Sequence, residues 1–163
     1  MTQVIGQVFD HGFAGSFSRQ PDQIIDTRIA GASIEFGAPV KYDASGNVVP
    51  FGASDTADLL VGFAVAEVKT GTAGQNGSYA TGEPVPVMKR GRLNVKVNVG
   101  TPALNGDVYI RIAANVLVPA GVVGDIEASA DSTNTINPTN VKFATAADAN
   151  GIAELEILYP VNA

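Results

Sequence analysis

The chain has 163 residues, long enough for one domain with a core of its own, and no cysteine, so a disulfide framework and a thiolate metal site are both excluded. Sixteen Asp and Glu against ten Lys and Arg give a formal charge of -6, which repels nucleic-acid phosphates at long range. Charged residues make up only 16% and hydrophobic ones 45%, so few charges and many small side chains point to burial against another surface, in an oligomer or on a larger assembly.

The first thirty residues read as an irregular arm. The run GFAGSFSRQPDQIIDTR, residues 12 to 28, follows neither a strand nor a helix period. Phe9, Phe13, Phe17, Ile24 and Ile25 are loosened by Gly12 and Gly15. Such a segment either closes the chain's own sheet or reaches a partner. The opening MTQVIGQVFDHG has no basic region followed by a continuous apolar stretch, so no secretion signal is expected. No run approaches the ~20 apolar residues that span a bilayer, and no membrane role is expected.

Residues 31–163 read as one β-rich body, a small barrel or sandwich. Asp43-Ala44-Ser45-Gly46-Asn47 predicts a hairpin turn, and Ser54 to Leu60 is the best helix candidate, a turn or two long. The stretch EVKTGTAGQNGSYATGEPVP predicts a long exposed loop, and SADSTNTINPTN a second polar one. Between them RLNVKVNV puts Leu93, Val95, Val97 and Val99 on one face and Asn94, Lys96 and Asn98 on the other. DVYIRI repeats the pattern, with Val108, Ile110 and Ile112 inward and Tyr109 and Arg111 outward; AELEILY aligns Leu155, Ile157 and Tyr159. Asn76-Gly77, Asn105-Gly106 and Asn150-Gly151 suit turns that need positive φ. A faint repeat relates GAPVKYDASGNVVPF and LLVGFAVAEV to GDVYIRIAANVLVPA and GVVGDIEASA, each a hairpin followed by a strand.

No reacting centre is legible. The single histidine, His11, has no G-x-S-x-G elbow with it and lies in the irregular arm, so no catalytic triad is expected. Asp148-Ala149-Asn150-Gly151 resembles part of a calcium loop but lacks its first acidic position and its terminal Glu, and reads as a turn. GTAGQNG, residues 71 to 77, has neither the preceding strand nor the Lys-Ser/Thr of a phosphate cradle, and the sequon Asn76-Gly77-Ser78 means little without a secretory context. No cofactor, metal or nucleic-acid partner is expected. Lys89, Arg90, Arg92 and Lys96 form a basic cluster, with the last three on one side of a strand. It is either an ordinary solvated face or a contact to an acidic surface on a partner or a second copy.

The runs GFAGSFSRQPDQIIDTR, IEFGAPVKYD, NVVPFG, LLVGFAVAEVKT, GEPVPVMKRGRLNVKV and GDVYIRI together resemble the structural cement, or decoration, proteins of tailed-phage capsids. The likeness runs from about Gly12 to the last strand. It implies a non-enzymatic β-rich homo-oligomer, a trimer more than a dimer, on the outer surface of the expanded capsid. Such a protein is made in the host cytoplasm and clamps neighbouring major capsid protein subunits. On that reading Phe13, Phe17, Arg19, Arg28, Arg90 and Arg92 are the interface residues, aromatics seeking pockets and arginines seeking carboxylates. The alternative from another class is a virion-surface module binding a carbohydrate or other ligand; zero Trp and four Tyr speak against sugar stacking.

Overall fold

The computed structural model describes residues 11–66, 77–116 and 121–158. Phe9, Tyr159 and most of the 71–77 glycine loop lie outside them. Among the described residues the strands are β1 (Phe17–Ile29), β2 (Ile34–Glu35), β3 (Pro39–Tyr42), β4 (Val48–Pro50), β5 (Gly62–Ala64), β6 (Ser78–Tyr79) and β7 (Pro84–Val99), followed by β8 (Tyr109–Arg111), β9 (Ile126–Glu127), β10 (Thr135–Ile136), β11 (Val141–Phe143) and β12 (Ile152–Ile157). The expected helix shrinks to a 3-10 turn at Ala57–Leu59, and the second polar loop holds another at Ser132–Asn134. The protein is mainly β and sandwich-like, as its alternating Val and Ile runs predict.

Strand β7, 16 residues long, is the spine. It pairs antiparallel with β1, β5 and β12 and parallel with β9. The large sheet runs β10-β8-β9-β7-β5-β3-β4, while β2 and β6 pair separately. Buried residues form two clusters: Phe63, Met88, Leu93, Val95 and Leu155 belong to the larger, Val40, Ala64, Val85 and Val87 to the smaller. Odd-numbered residues of β7 face the smaller cluster before Met88 and the larger one from Leu93 onward. That reversal requires a residue outside the alternation. Lys89 supplies it, since Met88 and Arg90 lie opposite the consecutive residues Ile25 and Ile24; nearby Gly91 takes φ 123, where any Cβ would stand 2.7 Å from the Asp22 carbonyl oxygen.

The expected hairpin forms between β3 and β4. The Asp43 carboxylate accepts the N–H groups of Ser45 and Asn47 at 2.8 and 2.9 Å, and Gly46 takes φ 78. The two repeat units each pair two strands antiparallel, β3 with β5 and β8 with β9. They join the spine differently, β5 antiparallel and β9 parallel, and the Val-rich strand of the second unit reaches residues 117–120, outside the described ones.

Three expectations are corrected. Arg111, predicted outward, is fully buried, because β8 is covered on both faces and Glu127 lies within reach. Asn94, also predicted outward, is only 2% exposed, because residues 11–16 lie across it. Tyr79, in what reads as an exposed loop, is buried with its hydroxyl on the Val65 carbonyl and its ring 5.1 Å from Phe36. In each case a neighbour distant in sequence covers the residue.

Candidate functional site

The N-terminal segment is tied to the body at its root. The Gly15 N–H donates to the Asn94 carbonyl at 2.8 Å, and the Asn94 N–H to the Ser16 carbonyl at 2.9 Å. The Asn94 amide group donates to the His11 carbonyl and the Ser16 hydroxyl. His11 donates its backbone N–H to Asp148 at 3.0 Å, and its ring lies against Ala146 and Thr145. The Asp148 carboxylate also accepts the N–H groups of Ile152 and Asn150. These bonds, that of Ile152 foremost and against some desolvation, hold its pKa below the usual carboxylate value. His11 and the Asp148 turn are therefore structural, joining the arm to the start of β12. No group of three or more potential metal ligands occurs among the described residues.

Beyond this root, residues 17–29 form an edge strand, one of the two readings the sequence leaves open. Its ladder to β7 runs from Phe17 opposite Leu93 to Ile29 opposite Pro84 and carries three register shifts before Ile25. The irregular sequence survives as these shifts. Phe13 and Phe17 are presented outward, 59% and 38% exposed. The side chain of Arg19 is outside what the structure describes.

The basic cluster is divided rather than gathered. Leu93 pairs with Phe17 of β1 and with Leu155 of β12, so those two strands flank opposite edges of β7. Arg90 turns to the β1 side and meets Asp22 at 3.0 Å. Arg92 turns to the β12 side and meets the buried Glu154 at 3.2 Å and Glu156 at 3.1 Å. Burial works against its charge, but the two glutamates, Glu156 ahead of Glu154, keep its pKa above the ordinary value. Asp26 accepts from Lys89 and from Arg28, each at 3.0 Å, and its pKa is lowered by Lys89 first. The Arg28 and Lys89 cations stand 5.7 and 5.6 Å from the Tyr42 ring centre. Lys96 is exposed. Arg28, Arg90 and Arg92 are thus matched within the chain.

One constellation has no counterpart in the sequence reading. The Arg111 guanidinium donates to both carboxylate oxygens of Glu127, to Asp131 at 3.0 Å and to the Ala113 carbonyl at 3.1 Å, and Asn115 donates to Asp131 at 2.9 Å. Arg111 and Glu127 are both at 0% exposure. A Cβ on Gly121 would stand 2.5 Å from Arg111 Nε, so the glycine makes room for the guanidinium. A charged residue inside each of two short apolar strands is the only sequence signal, and it does not say that the two meet.

A cavity of about 170 Å³ lies between Phe36, Lys96, Asn98 and Asp125. That is below the ~300 Å³ at which small-molecule sites begin. A wider and more open groove of about 340 Å³ lies beside Arg28, Tyr42 and Gly46. The class the fold defines is a mainly β, sandwich-like protein.

The family model of the structural cement protein (E217 gp24/Pam3 gp6) matches residues 1–158, and the chain belongs to that family. Its role is therefore a structural one in the phage capsid. In fold it is similar to a chain in the solved structure "The capsid of Myoviridae Phage XM1", with TM-score 0.71 and 18% identity over 96% of each chain. None of the curated proteins compared with it matches its sequence.

Proposed function

We propose that the protein is a non-enzymatic cement that binds the outer surface of the expanded capsid and clamps neighbouring major capsid protein subunits together. It acts as a homo-oligomer, a trimer ahead of a dimer. The family match over residues 1–158 carries this reading. The surface supports it. Phe13 and Phe17 stand out from a tethered root, and Leu104, Val116 and Val122 are 79%, 94% and 60% exposed. Aromatics held in place lose little freedom on docking, which favours a contact repeated many times over a shell. Arg28, on β1, and Arg90, on the β1 side of β7, flank the contact while paired with Asp26 and Asp22, and Arg19 is the remaining candidate on β1; Arg92 also pairs with Glu154 and Glu156.

The test is co-sedimentation of the purified protein with expanded shells that lack it, read as copies bound per major capsid subunit. Saturation at a symmetric ratio, with raised heat resistance of the shell, is the expected result. Absence of binding refutes the proposal. Phe13→Ala with Phe17→Ala lowers occupancy with the fold intact; at 59% and 38% exposure the two rings cost the fold only part of the ~3–5 kcal/mol that truncating a fully buried phenylalanine does.

A further inference from the structure

The apolar face of the sheet continues past its covered part. Directly paired residues project to the same face. Phe17 is opposite Leu93 and Ile25 opposite Met88, two residues at 0% exposure in the larger core cluster. Thr27 and Ile29 follow Ile25 at the strand period and share that face. Yet Phe17, Ile25 and Ile29 are 38%, 36% and 49% exposed. The layer covering β7 ends before β1.

The backbone is left open on the same strand. The Pro86 carbonyl accepts the Val65 N–H at 2.8 Å, on the β5 side of the spine. A residue in a strand points its N–H and C=O to one edge, so Pro86 turns its backbone away from β1. Its partner Thr27 therefore turns its own N–H and C=O to the outer edge of β1, and so does Ile25 two residues earlier. Among the described residues β1 pairs along its length with β7 alone; Val48 bridges it only at Ala30. The register shifts before Ile25 blunt the rest of this edge. The charges around it are already matched, Asp26 to Arg28 and Lys89, Asp22 to Arg90.

We propose that the outer edge of β1 at Ile25 and Thr27 is the seat of an extended, uncharged apolar segment of the capsid shell protein, which adds to the sheet there and covers Phe17, Ile25 and Ile29. The inference rests on the cement reading above. The area selects the occupant. The three side chains leave roughly 250 Å² open, judged from the ~150–250 Å² that a large apolar side chain presents. A stable dimer needs about 800 Å² from each partner, so this strip is too small to hold a second copy by itself. It suits a contact whose strength comes from repetition over a shell.

The experiment uses the full chain and expanded shells lacking it, with two independent variants whose folding is checked by circular dichroism. Thr27→Pro deletes the outward N–H without touching a bond to β7. Ile25→Ser with Ile29→Ser removes the apolar cover. Each is expected to bind shells at least tenfold more weakly than the unaltered chain. Binding of the unaltered chain should change by no more than about twofold between roughly 50 and 500 mM salt, because no net charge is matched across the contact. If the unaltered chain binds and both variants bind equally well, the seat is overturned and cementing stands. If the variants lose self-association and keep shell binding, the occupant is a second copy and the proposal is overturned. If the unaltered chain binds no shell, the cement reading fails and takes this one with it.

Discussion

Replacing Arg111 by methionine removes the cation from a site in which its own side chain and that of Glu127 are both at 0% exposure. The Glu127 carboxylate then faces a low-dielectric interior with no counter-charge, and Asp131 loses one of its partners. Leaving one member of a buried pair uncompensated costs about 3–5 kcal/mol. That is a fifth or more of the ~5–15 kcal/mol that holds a domain of this size. Glu127→Leu leaves the guanidinium with Asp131 and the Ala113 carbonyl as partners, so it should cost less, about 1–3 kcal/mol. The double variant Arg111→Met/Glu127→Leu removes both charges and leaves apolar volume in their place. Asp131, whose side chain is 25% exposed, can regain water. The double variant is therefore expected to be more stable than either single one, with a coupling of about 2–4 kcal/mol. Urea unfolding followed by far-ultraviolet circular dichroism measures all three. Single variants costing under about 1 kcal/mol, or a double variant equal to the sum of the singles, would refute the reasoning.

Gly121→Ala tests the same site from the outside: its Cβ would press on Arg111 at 2.5 Å, and a loss of about 1–3 kcal/mol is expected in the same unfolding assay. Gly62→Ala should be worse, because there the Cβ would meet the Met88 carbonyl oxygen at 2.2 Å and no flexible side chain can give way; failure to accumulate as folded protein is the expected readout. Asn94→Ala releases the His11 carbonyl and the Ser16 hydroxyl, so hydrogen exchange at the Gly15 amide should speed up well before global unfolding. Acid should loosen the same root. The pKa of Asp148 is lowered from 3.8 in the folded chain, so its contribution is present above that value and is lost as pH falls through the lower folded one. Asp131, lowered by Asn115 first and Arg111 next, adds a loss of the same sign. Unfolding midpoints should therefore be flat above about pH 5 and fall below pH 4; a midpoint unchanged down to pH 2 would contradict this.

The sequence by itself determined the β class, the 43–47 hairpin and the inward row from Leu93 to Val97, while Val99 at the strand end stays half-exposed. These depend on local rules, the two-residue strand period and the turn chemistry of Asp and Gly, that act within a few residues. It also carried the family resemblance, since the order of short runs is preserved along the chain. It left the arm open between two readings, because whether an apolar segment docks on its own sheet depends on an edge formed by β7, roughly 70 residues away. The tertiary structure decided that point, and with it which strand edge and which apolar side chains stay uncovered. It also decided the fate of the charges. Period two puts Arg111 outside and Arg92 in a basic row. Burial of Arg111 against Glu127, and the placing of β1 and β12 on opposite edges of β7, overrule that pattern through contacts between residues far apart in sequence.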